Sequence, residues 1–266
     1  MRVVILDSSE AVSVFCADVV SNLLSSRRKR NEQVVLGLAT GGTPLGLYRE
    51  LIRRCSTGEI SFQTVQTFNL DEYIGIAPTE EQSYHFYMRE NLFRHIDIDP
   101  TRTHVPKTHR VDLETSAREF ESMIDQAGGI DLQILGIGAD GHIGFNEPGS
   151  SLGSRTRVKA LAQKTRVDNA RYFANLEQVP KTALTMGIGT ILDSRSILLM
   201  ATGDAKARAI RNTVEGPVTA SVPASALQLH PQVTVVLDRA AASLLAHGEY
   251  YLESERLRTE RTMGGL

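Results

Sequence analysis

The sequence predicts an α/β fold: a doubly wound, mostly parallel, Rossmann-like sheet with helices on both faces. Two observations predict it. Short apolar runs alternate with segments of helical period along the 266 residues. Most of these apolar runs are continuous, which is typical of strands covered on both faces. We therefore expect one α/β domain over residues 1–266, without linker or internal repeat.

Six runs rich in Val, Ile and Leu have strand character. They are Val3–Leu6, Val34–Ala39, Val65–Leu70, Ile130–Gly138, Ser196–Thr202 and Val233–Asp238.

Helical segments separate these strands. Asp7-Ser8-Ser9-Glu10 resembles a capping box and predicts the first helix. Thr43 can cap a second helix that has Pro44 at its first position. Four more helices are predicted at Glu81–Ile96, Leu113–Gln126, Asp204–Val214 and Arg239–His247. Residues 150–185 are polar, basic and poor in strand signal, so we expect an irregular lid or interface segment there.

Composition limits the partners and the compartment. The 29 Lys and Arg against 31 Asp and Glu give a net charge of −2, which argues against nucleic-acid and membrane-surface binding. No apolar run is long enough to cross a bilayer, and Asp7 comes too early for a signal peptide. Cys16 and Cys55 fit buried thiols in a reducing cytoplasm, so we expect a cytoplasmic protein.

The spacing Gly136-x-Gly138-x-x-Gly141 matches the dinucleotide-binding fingerprint. That fingerprint needs a helix at its second glycine and an acidic residue about 20 positions later. Here Asn146-Glu147-Pro148-Gly149 interrupts any helix, and no acidic residue follows at the required distance. The sequence therefore argues against nucleotide binding.

The same loop carries three ionisable side chains beyond an apolar strand. Asp140 and Glu147 could both hydrogen-bond His142, which would fix its tautomer and favour its charged form. A polar turn with a surface histidine is the alternative, but three such groups within eight residues favour catalysis. We expect no metal site, because Asp140-x-His142 lacks a third nearby ligand.

The turn ATGGTP, residues 39–44, joins a strand to a helix. Its backbone N–H groups and the helix dipole would attract a phosphate, although a purely structural turn fits the motif equally well. Lys206, at the start of a later predicted helix, and Arg171 could bind the same anion.

Asp71 and Glu72 follow the third predicted strand. A carboxylate in a partly desolvated cleft can act as a base, and a turn or helix cap is the alternative. No nucleophile motif accompanies these loops. Together they suit proton transfer on a small phosphorylated substrate, without a cofactor.

Read together, these loops resemble those of glucosamine-6-phosphate deaminases. The similar stretches are LGLATGGTPLGLY, FNLDEY, LGIGADGHIGFNEPGSSLGSRTRVK, QVPKTALTMGIGTILD and ALQLHP. They cover nearly the whole chain in the expected order. The resemblance implies a Rossmann-like fold and the conversion of glucosamine 6-phosphate and water to fructose 6-phosphate and ammonia.

The resemblance also implies roles for individual residues. Asp71 would move the proton between sugar carbons 2 and 1. His142 would catalyse opening of the pyranose ring, with Asp140 and Glu147 orienting it. The implied phosphate ligands are Gly41, Gly42, Thr43, Arg171 and Lys206.

Some deaminases of this family are hexamers activated by N-acetylglucosamine 6-phosphate. Ser150, Arg157 and Lys159 match positions of that activator site, whereas Ala160 replaces a threonine of the allosteric members. The resemblance therefore implies a homo-oligomer, with a hexamer as one option, and a possible activator site.

Two alternatives stay open from the sequence. The first is a 6-phosphogluconolactonase-like hydrolase, which shares a G-x-G-x-D-G-H loop, although FNEP follows the histidine here. The second is a sugar-phosphate-sensing protein without turnover.

Overall fold

The computed structural model describes residues 1–263. In this range the strands, in chain order, are β1 (Arg2–Leu6), β2 (Val34–Leu38), β3 (Val65–Asn69), β4 (Asp71–Tyr73), β5 (Thr103–His104), β6 (Leu132–Leu135), β7 (Arg157–Ala160), β8 (Thr182–Thr185), β9 (Ile197–Ala201) and β10 (Val233–Asp238). The α-helices are α1 (Ser9–Arg28), α2 (Leu45–Ser56), α3 (Tyr84–Asn91), α4 (Leu113–Gln126), α5 (Gln163–Asn169), α6 (Ile188–Leu192), α7 (Ala207–Val214), α8 (Arg239–Ala242) and α9 (Gly248–Met263).

Seven strands form one parallel sheet in the order β1-β10-β9-β6-β2-β3-β5. The predicted doubly wound α/β fold is confirmed. All six predicted strands lie in this sheet, with shorter bounds: β6 has only four of the nine residues of Ile130–Gly138. The edge strand β5 has two residues, too few to give a pattern in the sequence.

The chain order reverses between β2 and β6. From β2 it continues outward through β3 to β5, and from β6 it continues the other way through β9 to β10. The loops after β2 and β6 therefore diverge and leave a crevice at the carboxyl ends of these strands, where ligands bind in open parallel sheets.

Apolar side chains pack on both faces of the sheet. On one face, Cys16 of α1 and Tyr48 of α2 are fully buried against the strands. On the other face, Phe120 of α4 and Ile210 of α7 are buried. Each such side chain contributes about 1.5–3 kcal/mol relative to exposure. Cys16 is buried as predicted, whereas Cys55 is only partly buried.

Several helix boundaries differ from the predictions. Ser8 caps α1 as expected, because its hydroxyl accepts from the Ala11 N–H at 3.1 Å. Thr43 does not cap α2: Pro44 takes the capping position without a side-chain hydrogen bond. The predicted helix Glu81–Ile96 shortens to α3, because the Ser83 hydroxyl accepts from the Phe86 N–H and starts the helix there.

The C-terminal helices also differ. The predicted helix Arg239–His247 ends at Ala242, and the charged segment after it forms α9, which was not predicted. Little of α9 is buried, so its sequence lacks a strong apolar stripe. No helix within residues 1–263 is long and apolar enough to cross a membrane.

The expectation of an irregular segment at residues 150–185 is wrong. It contains α5 and two strands, β7 and β8, which form a three-stranded antiparallel sheet with β4. Each of these strands has only three or four residues, and β7 alternates partly buried with exposed positions. Strands this short leave no continuous apolar run to recognise.

Candidate active site

A cleft of about 180 Å³ opens at the carboxyl edge of the parallel sheet, at the reversal between β2 and β6. Seven of the residues predicted from the sequence line it: Gly41, Gly42, Thr43, Asp71, His142, Arg171 and Lys206. Asp140 and Glu147 lie outside this lining and approach Nδ1 of His142. The activator-site residues predicted from the resemblance lie outside this lining.

The turn between β2 and α2 forms one wall of the cleft. Gly41 has φ +90°, a left-handed conformation that favours glycine. The Tyr87 hydroxyl donates to the Gly41 carbonyl at 2.6 Å and holds the turn from α3. Gly41, Gly42 and Thr43, which precede α2, line the cleft, and backbone N–H groups ahead of a helix can bind an anion.

Lys206 reaches the same wall from the loop after β9. It ends a short 3₁₀ turn, Asp204–Lys206, and precedes α7 instead of lying in its first turn. Both carboxylate oxygens of Asp238 accept from the Gly203 N–H at 3.0 Å, which fixes the loop. Burial lowers the pKa of Lys206, and the carboxylate of Asp168 opposes that shift. An anion here would restore the solvation that the ammonium group has lost.

Arg171 faces Lys206 from the segment after α5. It is exposed, and its guanidinium lies 4.8 Å from the centre of the Tyr172 ring. Its positive charge contributes to the lowered pKa of Lys206, so the two cations are close enough to interact.

Asp71 lies on the opposite wall, at the start of β4, where it pairs with Thr185 of β8. It is only 5% exposed. Burial and the neighbouring charge of Glu72 raise the pKa of Asp71 to about 8. A carboxyl group with such a pKa can both accept and return a proton near neutral pH.

Glu72 has a structural role in place of the catalytic one that the sequence left open. Its oxygens accept from the backbone N–H groups of Tyr73, Tyr84 and His85 at 2.8–3.1 Å, and its Oε2 lies 3.2 Å from Nδ1 of His85. Glu72 therefore caps α3 and ties it to β4. The cap interpretation is correct for Glu72, whereas Asp71 faces the cleft.

The loop after β6 folds back on itself and begins no helix. The Gly138 N–H donates to the His142 carbonyl at 2.9 Å, and the next α-helix is α5. A side chain at position 138 would collide with the His142 ring, since its Cβ would lie 2.2 Å from Cε1. Glycine at position 138 therefore leaves room for the imidazole ring. No helix begins in this loop, whereas the dinucleotide-binding fingerprint requires one.

Both predicted carboxylate partners of His142 face the same ring nitrogen. Nδ1 lies 2.7 Å from Oδ1 of Asp140 and 3.7 Å from Oε2 of Glu147. The first contact is a close ion pair. It lowers the pKa of Asp140 to about 2. Nε2 is the ring nitrogen that neither carboxylate approaches.

Glu147 joins this group from farther along the loop. Its Oε1 accepts from the Ala162 N–H at 3.1 Å, while its Oε2 is buried without a hydrogen-bond partner. The expectation that Asp140 and His142 lack a third nearby ligand is wrong, because ligand atoms of all three residues lie within 4.8 Å of one another. The turn at Gly144, with φ +55°, brings Glu147 back to the histidine.

The three residues matched to an activator site lie behind the loop that follows β6. The buried Ser150 hydroxyl donates to the Glu147 carbonyl at 2.6 Å. Arg157 donates to Oδ1 of Asn146 at 2.9 Å, and burial lowers the pKa of this arginine. Lys159 lies two positions along β7, on the same face as Arg157.

Several residues in the cleft lining were not predicted. Tyr84 of α3 stacks on Phe145 of the loop after β6, with ring centres 6.1 Å apart. Thr165, Asp168 and Asn169 line the cleft from one face of α5. Their 165, 168, 169 spacing is a helical signal that the polar composition of this segment obscured.

Comparison with known proteins identifies the family. The model of the glucosamine-6-phosphate isomerase/6-phosphogluconolactonase family matches residues 7–236. The chain belongs to this family. A family member from Hahella chejuensis is 53% identical over 262 residues, which is 98% of each chain. One from Marinomonas sp. is 53% identical over 269 residues and the full length of both. Both are named glucosamine-6-phosphate deaminase.

Solved structures of the family agree with the fold. A structure described as a monomeric glucosamine-6-phosphate deaminase is 49% identical, covers 92% of this chain and 100% of its own, and has a TM-score of 0.88. The 6-phosphogluconolactonase from Trypanosoma cruzi has a TM-score of 0.74 at 20% identity, with 92% and 97% coverage. At that identity the second likeness shows the fold alone.

Proposed function

We propose that this protein is a glucosamine-6-phosphate deaminase, which converts glucosamine 6-phosphate and water to fructose 6-phosphate and ammonia. One observation carries the proposal: a buried carboxyl group with a raised pKa, Asp71, shares a cleft with His142 and a cationic anion site. The deaminase names of the relatives with 53% identity support the same activity.

The phosphate of the substrate is held between the turn at Gly41, Gly42 and Thr43 and the side chains of Lys206 and Arg171. This end of the sugar does not react. Binding energy gained there positions the other end of the substrate against the catalytic groups.

His142 opens the pyranose ring. The imidazole takes the proton of the carbon-1 hydroxyl and a proton passes to the ring oxygen, so the ring bond breaks and an aldehyde forms. Asp140, held ionised, stabilises the positive ring during this step.

Asp71 then moves a proton along the open chain. Its carboxylate removes the proton at carbon 2, which is acidic beside the aldehyde, and gives an enolamine. Return of a proton to carbon 1 gives a ketimine, and water hydrolyses it to the ketone and ammonia. These steps need no external oxidant or metal.

Assembly and regulation remain predictions from the resemblance. The homo-oligomer, the cytoplasmic location and an activator site at Ser150, Arg157 and Lys159 belong to this group. The similar structure described as monomeric makes the monomer the alternative to test.

Ammonia release from glucosamine 6-phosphate tests the proposal, with lactone hydrolysis and a binding titration measured alongside. We expect ammonia release without hydrolysis of 6-phosphogluconolactone. Lactone hydrolysis alone would support the lactonase alternative, and binding without turnover would support a sensing protein.

A further inference from the structure

One buried polar atom behind the cleft lacks a hydrogen-bond partner. It is Oε2 of Glu147, which lies 3.7 Å from Nδ1 of His142. Glu147 is only 5% exposed, so water does not readily solvate this oxygen. Buried polar atoms without partners are rare, and such an atom marks a place where a bound ligand would be stabilised.

A third donor completes the group. Oδ1 of Asp140 lies 2.7 Å from Nδ1 of His142, and all three donor atoms lie within 4.8 Å of one another. We propose that these three side chains form an inhibitory binding site for Zn²⁺. Three protein ligands with a remaining position open to solvent or substrate are a common zinc arrangement.

The observed spacing suits this ion. Zinc bonds of about 2.0–2.2 Å at tetrahedral angles place neighbouring donors about 3.3 Å apart. The two distances from Nδ1, 2.7 and 3.7 Å, bracket that spacing, and the carboxylate oxygens of Asp140 and Glu147, within 4.8 Å of each other, must approach by up to about 1.5 Å. Asp140 is partly exposed and can make such a shift.

The donor set also selects the metal. The imidazole nitrogen favours a transition metal such as Zn²⁺, for which Co²⁺ is the usual spectroscopic substitute. Mg²⁺ and Ca²⁺ prefer sites made of oxygen ligands alone. Millimolar Mg²⁺ is therefore expected neither to bind this set nor to compete with Zn²⁺.

Zinc at this position would stop the imidazole from acting as a base. Binding displaces any proton on Nδ1 to solvent, and the neutral metal-bound ring keeps its remaining proton on Nε2. Nε2 then cannot accept a proton from the sugar, while the phosphate site at Thr43 and Lys206 is untouched. Zinc should lower kcat and leave KM nearly unchanged. This inhibition rests on the proposed function, whereas zinc binding does not.

Titration of the full-length protein with Co²⁺ tests the site without measuring activity. We expect one Co²⁺ per chain, visible absorption bands of a low-coordinate nitrogen–oxygen site, and displacement by Zn²⁺. Glu147→Gln and Asp140→Asn should each weaken binding at least about tenfold. Circular dichroism should show that both variants fold.

Two control variants test whether other possible metal ligands in the chain bind the Co²⁺. Cys55→Ser removes a thiol 3.3 Å from Asp97, and His85→Gln removes the imidazole next to Glu72. Neither should change the absorption bands or the affinity. Absence of stoichiometric Co²⁺ binding, or binding lost in Cys55→Ser but kept in Glu147→Gln, would overturn the proposed site.

Inhibition by zinc is measured in a separate activity assay. Zinc should lower the rate of ammonia release with the midpoint found for binding. Stoichiometric zinc binding with full activity would overturn the inhibitory role. Co²⁺ binding by a protein that releases no ammonia would instead overturn the proposed function and support the metal site.

Discussion

The parallel and the antiparallel sheet contribute differently to the same cleft. The seven-stranded sheet, buried on both faces, presents Thr43, His142 and Lys206 on loops beyond its strands. The three-stranded sheet presents Asp71 within β4 itself. Apart from Arg171, which lies between β7 and β8, the proposed anion site and ring-opening group thus rest on the large sheet, and the proposed base rests on the small one.

This difference matters for the chemistry of each wall. The loop after β9 leaves Lys206, and the segment after α5 leaves Arg171, accessible to a charged ligand. The strand position buries Asp71 beside Glu72, and burial gives it the raised pKa that a base near neutral pH needs. Variants of the two walls should therefore separate binding from proton transfer.

Asp71→Asn should have the largest effect. The amide keeps the shape of the side chain but cannot take a proton, so kcat for ammonia release should fall about 10²–10⁴-fold. Glu72→Gln is the matched control one position away. It weakens the cap on α3, so it should lower the melting temperature more than the rate. A larger rate loss in Glu72→Gln than in Asp71→Asn would reverse the two assignments.

His142→Gln should lose a similar factor on the cyclic substrate, about 10²–10⁴-fold. Part of the rate should return on an open-chain analogue, because the ring-opening step is then bypassed. Rates on both substrates are compared by the same ammonia assay. Equal losses on the two would assign His142 another role.

Lys206→Ala should act mainly on binding. Loss of one charged hydrogen-bond partner costs about 1.5–3 kcal/mol, which corresponds to roughly a 10–150-fold increase in KM. Arg208→Ala, two positions along the chain and outside the cleft lining, should leave KM unchanged. Lys206 would be excluded from the site by an unaltered KM.

The pH dependence should show the smallest effect. Asp71 must be ionised to act as a base, so kcat/KM should rise with pH and level off above about 8. Folding responds with the opposite sign. Between about pH 4 and 8, Asp71 is protonated in the folded protein but ionised in the unfolded chain. Its contribution to the free energy of unfolding therefore decreases as the pH rises through this range. Asp71→Asn should remove that fall in urea titrations; an unchanged slope would contradict the raised pKa.

The two sheets also differ in how far the sequence could predict them. Continuous apolar runs such as Val34–Leu38 identify buried parallel strands, and the residues after them identified most of the cleft lining. The strand Arg157–Ala160 is polar and short, so its pairing follows from tertiary contacts that no local pattern contains. The approach of Glu147 to His142 was predicted, but not that the two residues and Asp140 place three possible metal ligands within 4.8 Å of one another.

Hydrogen exchange at carbon 2 tests the central claim most directly. Wild-type protein and Asp71→Asn are incubated with saturating glucosamine 6-phosphate in deuterated water, and deuterium at carbon 2 of the recovered substrate is followed by NMR. We expect Asp71→Asn to bind the sugar but to exchange no proton, and Lys206→Ala to exchange at high substrate concentration. Exchange at the wild-type rate in Asp71→Asn would show that another group is the base.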